Sequence, residues 1–168
     1  MNQSLKIGGI FNYEHIRNGE VIDNWSEPNI VVDEGLNYIL GAGMAGSSAL
    51  TNWYVGIFKN NYNPVSADVI ATFPGSGVAG ECTTEYNESN RPAWTTAGVS
   101  SKTITNTASP AVFTFNTPVL IYGGFLTSSN IKAGLTGKLA AASKFSSVRS
   151  MIVSDVLNVT YTLSIASA

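Results

Sequence analysis

Charge, cysteine and histidine are the scarce residues of this chain. Charged side chains make up 12% of its 168 residues, about half the share of an ordinary soluble domain. With one cysteine, Cys82, no internal disulfide can form, and stability must come from packing or from oligomerisation. With one histidine, His15, and no cysteine pair, there is no zinc or other transition-metal signature. No apolar run reaches the length of a membrane-spanning helix, and the start, Met1 to Lys6, lacks the basic and apolar regions of a secretory leader. The formal net charge of −2 and pI near 5.3 argue against a protein whose main task is holding nucleic acid.

Hydroxyls and amides fill the place of charge: Ser, Thr and Asn together supply 50 residues, and 44% of the chain is hydrophobic. That mixture supports a packed core and disfavours both disorder and a helical protein. The charges are unevenly spread. Ten acidic and four basic side chains precede Thr95, while five basic and one acidic follow. The halves either form a dipolar molecule or interleave on folding.

Strand signals dominate. Ile10–Ile16 and Glu20–Trp25 flank Asn18-Gly19, the dipeptide best suited to a type I′ hairpin turn. Ser26-Glu27-Pro28 is expected to interrupt that pairing. One short helix is expected from Asp33 to Leu40, with Asp33 as N-cap, Glu34 at the positive dipole end, Leu36, Ile39 and Leu40 on one face, and Gly41 and Gly43 as the stop. A strand follows at Trp53–Phe58, closed by the polar run Lys59 to Pro64. Residues 65–91 read as a long surface loop carrying an acidic patch of Glu81, Glu85 and Glu88. Val112–Phe115 and Val119–Leu126 are strands, and Leu139–Phe145 is strand or helix. The last run alternates Leu157, Val159, Tyr161, Leu163 and Ile165 with polar residues, the period of a half-buried strand. The sum is an all-β antiparallel sandwich, one domain over residues 1–168, with an N-terminal hairpin arm over residues 1–28. The glycines of Gly8-Gly9-Ile10-Phe11, Gly56-Ile57-Phe58 and Gly123-Gly124-Phe125 read as places where the sheets bend or pack tightly.

Chemistry-bearing constellations are missing. His15 reads as a surface or half-buried hairpin residue. Cys82 stands beside Glu81, which opposes the thiolate. Gly75-Ser76-Gly77 lacks the nucleophile-elbow pattern, and the loop carboxylates imply no apolar pocket that would tune an acid. No catalytic, cofactor or metal residue is assigned. Trp53 reads as core, whereas Trp25 and Trp94 stand beside proline or polar residues as exposed interface anchors. Tyr62, in the polar turn, joins them as a candidate contact. A sugar-stacking platform built from these aromatics is the lesser alternative.

Five stretches carry a family resemblance: Asn29–Leu40, Thr51–Phe58, Glu85–Trp94, Phe113–Phe125 and Ser154–Leu163. In these the chain resembles the small virion proteins of tailed bacteriophages, encoded near the major capsid protein and acting as cement or decoration proteins of the head. The resemblance implies a jelly-roll-like sandwich that forms a homo-oligomer, dimer or trimer, on the outer capsid surface. It implies the major capsid protein as partner, synthesis in the bacterial host cytoplasm, and no part for cofactor, nucleic acid or membrane. A tail, baseplate or fibre component, with or without glycan binding, is the alternative.

Overall fold

The computed structural model describes residues 4–167. The first three residues of the expected N-terminal arm, 1–28, lie outside them, and from Leu5 onward the arm is strand. β1 (Leu5–Arg17) and β2 (Glu20–Pro28) form the hairpin. Asn18 and Gly19 take φ values of 54° and 81°, the two positive angles that a type I′ turn requires. The pairing is not interrupted at Ser26-Glu27-Pro28, because Glu27 stands opposite Phe11 and Pro28 opposite Ile10. β2 is the edge of its sheet, where the N–H that proline lacks costs no ladder bond.

The chain continues through β3 (Ile30–Val31), α1 (Asp33–Met44), β4 (Tyr54–Phe58), β5 (Thr103–Thr105), β6 (Ala111–Thr114), β7 (Val119–Thr127), β8 (Leu139–Met151) and β9 (Val156–Ser167). All pairings between strands are antiparallel. One sheet runs β2-β1-β9-β5, with β6 also on β9, and the other runs β3-β8-β7-β4. β1 and β9 pair along almost their whole length in the first sheet, and β3 pairs with β8 in the second. Early strands thus nest against late ones in both sheets of the sandwich. Ala140, Ala141 and Ala142 favour helix locally, yet all three lie in β8, with Ala141 and Ala142 paired on both sides and buried, and this setting overrides propensity.

The helix differs from expectation at both ends. Val32 occupies the N-cap without a side-chain bond, and Asp33 is already helical. Glu34 does not simply face the dipole; its Oε2 accepts the backbone N–H of Ile70 (3.0 Å) and of Leu139 (2.8 Å). Gly41 and Gly43 lie inside the helix, because an interior glycine costs only about 1 kcal/mol relative to alanine. The chain leaves the helix where Gly46 takes φ of 70°. Burial falls on Gly35, whose missing Cβ lets the helix rest on the Ala140 backbone, while Leu40 is 58% exposed.

Two cores result. Phe11, Tyr13, Val55, Ile57, Phe113, Ile121, Leu126, Leu157, Val159 and Tyr161 fill the space between the sheets. The outer face of the second sheet presents Phe58, Phe125 and Ala142 to Val32, Ile70, Phe73 and Ala79. Residues 65–91 are therefore more than a surface loop: Ile70, Phe73 and Ala79 form a third layer over the second sheet, and Cys82 and Tyr86 join the core between the sheets. Their apolar side chains lack strand or helix periodicity, so pattern alone hides them. The glycines of the echoing motifs make this layer possible: a Cβ at Gly56 would run into the Phe125 ring, and one at Gly123 into the Phe58 ring. The charged halves interleave, with Asp23 on Arg149 (2.9 Å), Glu34 on Lys138 (3.5 Å) and Asp155 on Arg17 (2.7 Å). Among the described residues no helix is long and apolar enough to cross a membrane.

Candidate interaction face

The buried side chains of Asp155, Glu81 and Arg91 are engaged in ion pairs and hydrogen bonds within the fold. Asp155, in the β8–β9 turn, has a fully buried side chain. It accepts Arg17 Nε and Nη2 at 2.7 Å each and the Ile152 N–H at 2.9 Å, with His15 Nε2 at 2.7 Å. Burial alone would raise this carboxyl, but Arg17, the Ile152 N–H and His15 outweigh it and hold the group far below the ordinary carboxylate range. His15 is thus a hairpin residue that bonds Asp155, and at 5% exposure it is more deeply buried than the surface or half-buried position expected of it.

The acidic patch is likewise not solvated. Glu81 and Arg91 are both fully buried and meet in a two-pronged pair at 2.7 and 2.8 Å. Glu81 also takes the Ala133 N–H at 2.7 Å, and the Arg91 guanidinium lies 5.3 Å from the Phe125 ring centroid. Glu85 caps the N–H groups of Thr83 and Thr84 and pairs with Lys59. Burial opposes its ionised form, but these partners lower its carboxyl overall. Glu88 accepts the Thr114 N–H. Isolated carboxylates in sequence gave no sign of these partners, since each partner is supplied by tertiary contact. Burial, chiefly, and then Glu85 push the Cys82 thiol far up, which suits a core residue and not a nucleophile. Among the described residues no group of three or more His, Cys, Asp or Glu could hold a metal ion.

The three candidate contact residues do not converge. Trp94 is only 9% exposed; its Nε1 donates to the Tyr161 carbonyl at 3.0 Å and its ring tilts on Tyr161. It is core, and unlike the sequence expectation it is no exposed anchor, because Trp94 N–H joins the Trp53 carbonyl and draws the indole under β9. Trp25 is half-buried, stacked on Tyr13 at 5.1 Å with Arg149 4.4 Å over its ring. Its inward direction follows from standing opposite Tyr13 in the hairpin register. Tyr62 packs on Phe73 in the second core, and its hydroxyl donates to Asp68 at 2.7 Å. That bond, assisted by burial, pushes the Tyr62 hydroxyl up to about 12.

What the sandwich leaves bare is the outer face of the first sheet. The period of two that sends Tyr13 and Val159 inward sends Asn12, Glu14, Asn158 and Thr160 outward. In register, Asn24, Glu14 and Asn158 form one row across β2, β1 and β9, and Ser26, Asn12 and Thr160 form the next. Ser26 Oγ donates to Asn12 Oδ1 at 2.6 Å, and Asn158 Nδ2 to Glu14 Oε1 at 2.9 Å. Thr107 and Pro110 rim a groove of about 370 Å³ above these rows. Farther along the face Thr162 bonds Thr105 at 3.0 Å. Alternation in the sequence marks these positions as outward; only strand register aligns them. No protein-family model matches the chain, and no curated protein matches it in sequence.

Proposed function

We propose that this is a non-catalytic structural protein of a phage virion, binding the outer capsid surface as a cement or decoration protein. The observation that carries the reading is the asymmetry of the sandwich. The second sheet is covered by α1 and the segment carrying Ile70, Phe73 and Ala79, while the first sheet leaves a broad face with little charge, built mainly of amides and hydroxyls with Ile10 and Val112 among them. Such a face suits repeated contacts with neighbouring subunits, where isolated charges would demand exact pairing. The sandwich with nested strand pairs is also the architecture that the family resemblance implies.

In this reading the major capsid protein is the partner and the protein acts as a dimer or trimer. Each copy bridges adjacent capsid subunits and contributes binding energy that only the assembled shell can collect. Neither nucleic acid nor membrane takes part. The test mixes purified protein with expanded shells lacking it and measures bound copies and shell disruption temperature. Saturable binding with a raised disruption temperature is expected, and Thr162→Arg on the bare face should reduce occupancy without lowering the protein's own melting temperature. Absence of binding to shells overturns the reading.

A tail, baseplate or fibre component is the second reading, favoured by the polar groove on the first sheet. Recovery of the protein with isolated tails and not with heads would select it.

A further inference from the structure

We propose that the groove on the outer face of the first sheet binds a neutral oligosaccharide through its hydroxyl groups. The proposal stands apart from the shell reading, since it concerns a ligand taken by the isolated protein. Its floor consists of the rows Asn24–Glu14–Asn158 and Ser26–Asn12–Thr160. Neighbouring strands lie about 4.8 Å apart and same-face residues roughly 6.6 Å apart along a strand. The polar tips therefore form a grid on the scale of the hydroxyls around one pyranose ring.

The grid is set before any ligand arrives. Ser26 holds Asn12 by its Oδ1, which leaves Asn12 Nδ2 as a donor. Asn158 holds Glu14 by Oε1, which leaves Glu14 Oε2 and Asn158 Oδ1 as acceptors. Asn24 adds a donor and an acceptor at the edge. A sugar hydroxyl both donates and accepts, so it matches a floor on which the two roles are interleaved. Charge narrows the ligand further. The groove contains one carboxylate and no Lys or Arg, which disfavours phosphate, sulfated sugars and acidic sugars. Pro110 is the one aliphatic side chain at the rim, so a peptide would find no pockets for its apolar side chains. Tyr13 and Trp25 turn their rings toward the core. With no ring to stack on the sugar, a single site should bind with a dissociation constant of about 1 mM.

The experiment titrates the isotope-labelled full chain with four unbranched neutral hexasaccharides: β-1,4-glucan, α-1,4-glucan, β-1,4-mannan and β-1,4-linked N-acetylglucosamine. A sulfated and a sialic-acid oligomer serve as anionic arms. At least one neutral sugar should shift the side-chain amide resonances of Asn12, Asn24 and Asn158 in a saturable way. Thr160→Arg, which places a long side chain across the floor, should weaken that binding more than tenfold with an unchanged melting temperature. Asn24→Ala, at the sheet edge, should weaken it severalfold and serves if the first variant does not fold. The proposal is overturned if no neutral sugar shifts those resonances, if shifts map elsewhere, if the folded variants bind as the parent does, or if the anionic sugars bind in preference. Shell binding measured in parallel keeps the two proposals separate: retained shell binding without sugar shifts sinks this one alone.

Discussion

At the scale of single residues, the polar side chains that matter most to stability are those hidden from water. Arg91 and Glu81 satisfy one another inside the molecule. Replacing Arg91 with Leu leaves the Glu81 carboxylate buried and unpaired, and should cost about 3–5 kcal/mol in chemical denaturation. Asp155 makes a prediction in pH. Its folded carboxyl is held below its unfolded value, so its contribution is fully present above the ordinary carboxylate range, near pH 4. It is lost progressively as pH falls below that. Asp155→Asn should therefore flatten the acid limb of the stability curve, as read from melting temperature between pH 6 and pH 2, with a lower plateau at neutral pH. A steep acid limb unchanged in the variant would place the titration elsewhere.

At the scale of elements, β9 shows how alternation becomes energetics. Val159 faces the core between the sheets and Thr160 faces outward. Val159→Asp should unfold the protein, because a carboxylate would enter an apolar core without a partner. Thr160→Asp should shift stability by only about 0.5 kcal/mol, and circular dichroism melts of the two variants check the contrast. The segment 65–91 makes a second prediction. Phe73 meets Phe58, Tyr62 and Phe125 at ring-centroid distances of 5.8, 5.9 and 5.3 Å. Phe73→Ala should cost about 3–5 kcal/mol in urea unfolding, where a residue in a solvated loop would cost almost nothing.

For the whole molecule, stability comes from packed layers, with no internal disulfide open to the single Cys82. Treatment with chelator should leave the melting temperature unchanged, and a marked drop would reveal a cation held by oxygen ligands. The layering also sets what the protein can offer a partner. One sheet spends its outer face on the covering segment, and the other keeps a polar face free. The shell proposal and the sugar proposal both draw on that face.

The sequence by itself determined the class of fold and most of its strands, because alternation, Asn18-Gly19 and β-branched runs are local signals that act within a few residues. It determined that β9 has a core face and a solvent face, and that glycines near Phe11, Phe58 and Phe125 mark close packing. Tertiary structure alone decided the rest. Ile70, Phe73 and Ala79 became core only because the outer face of β4 and β7 needed cover. Trp94 went inward because its backbone joined Trp53, and Glu81, Glu85 and His15 left the surface because charge partners distant in the chain met them. The helix outlasted Gly41 and Gly43 because interior glycine weakens a helix without ending it. Asn12, Glu14, Asn24, Ser26, Asn158 and Thr160 became one surface only when β2, β1 and β9 came into register, since hydrogen-bond pairing between distant strands is a property no short stretch of chain possesses.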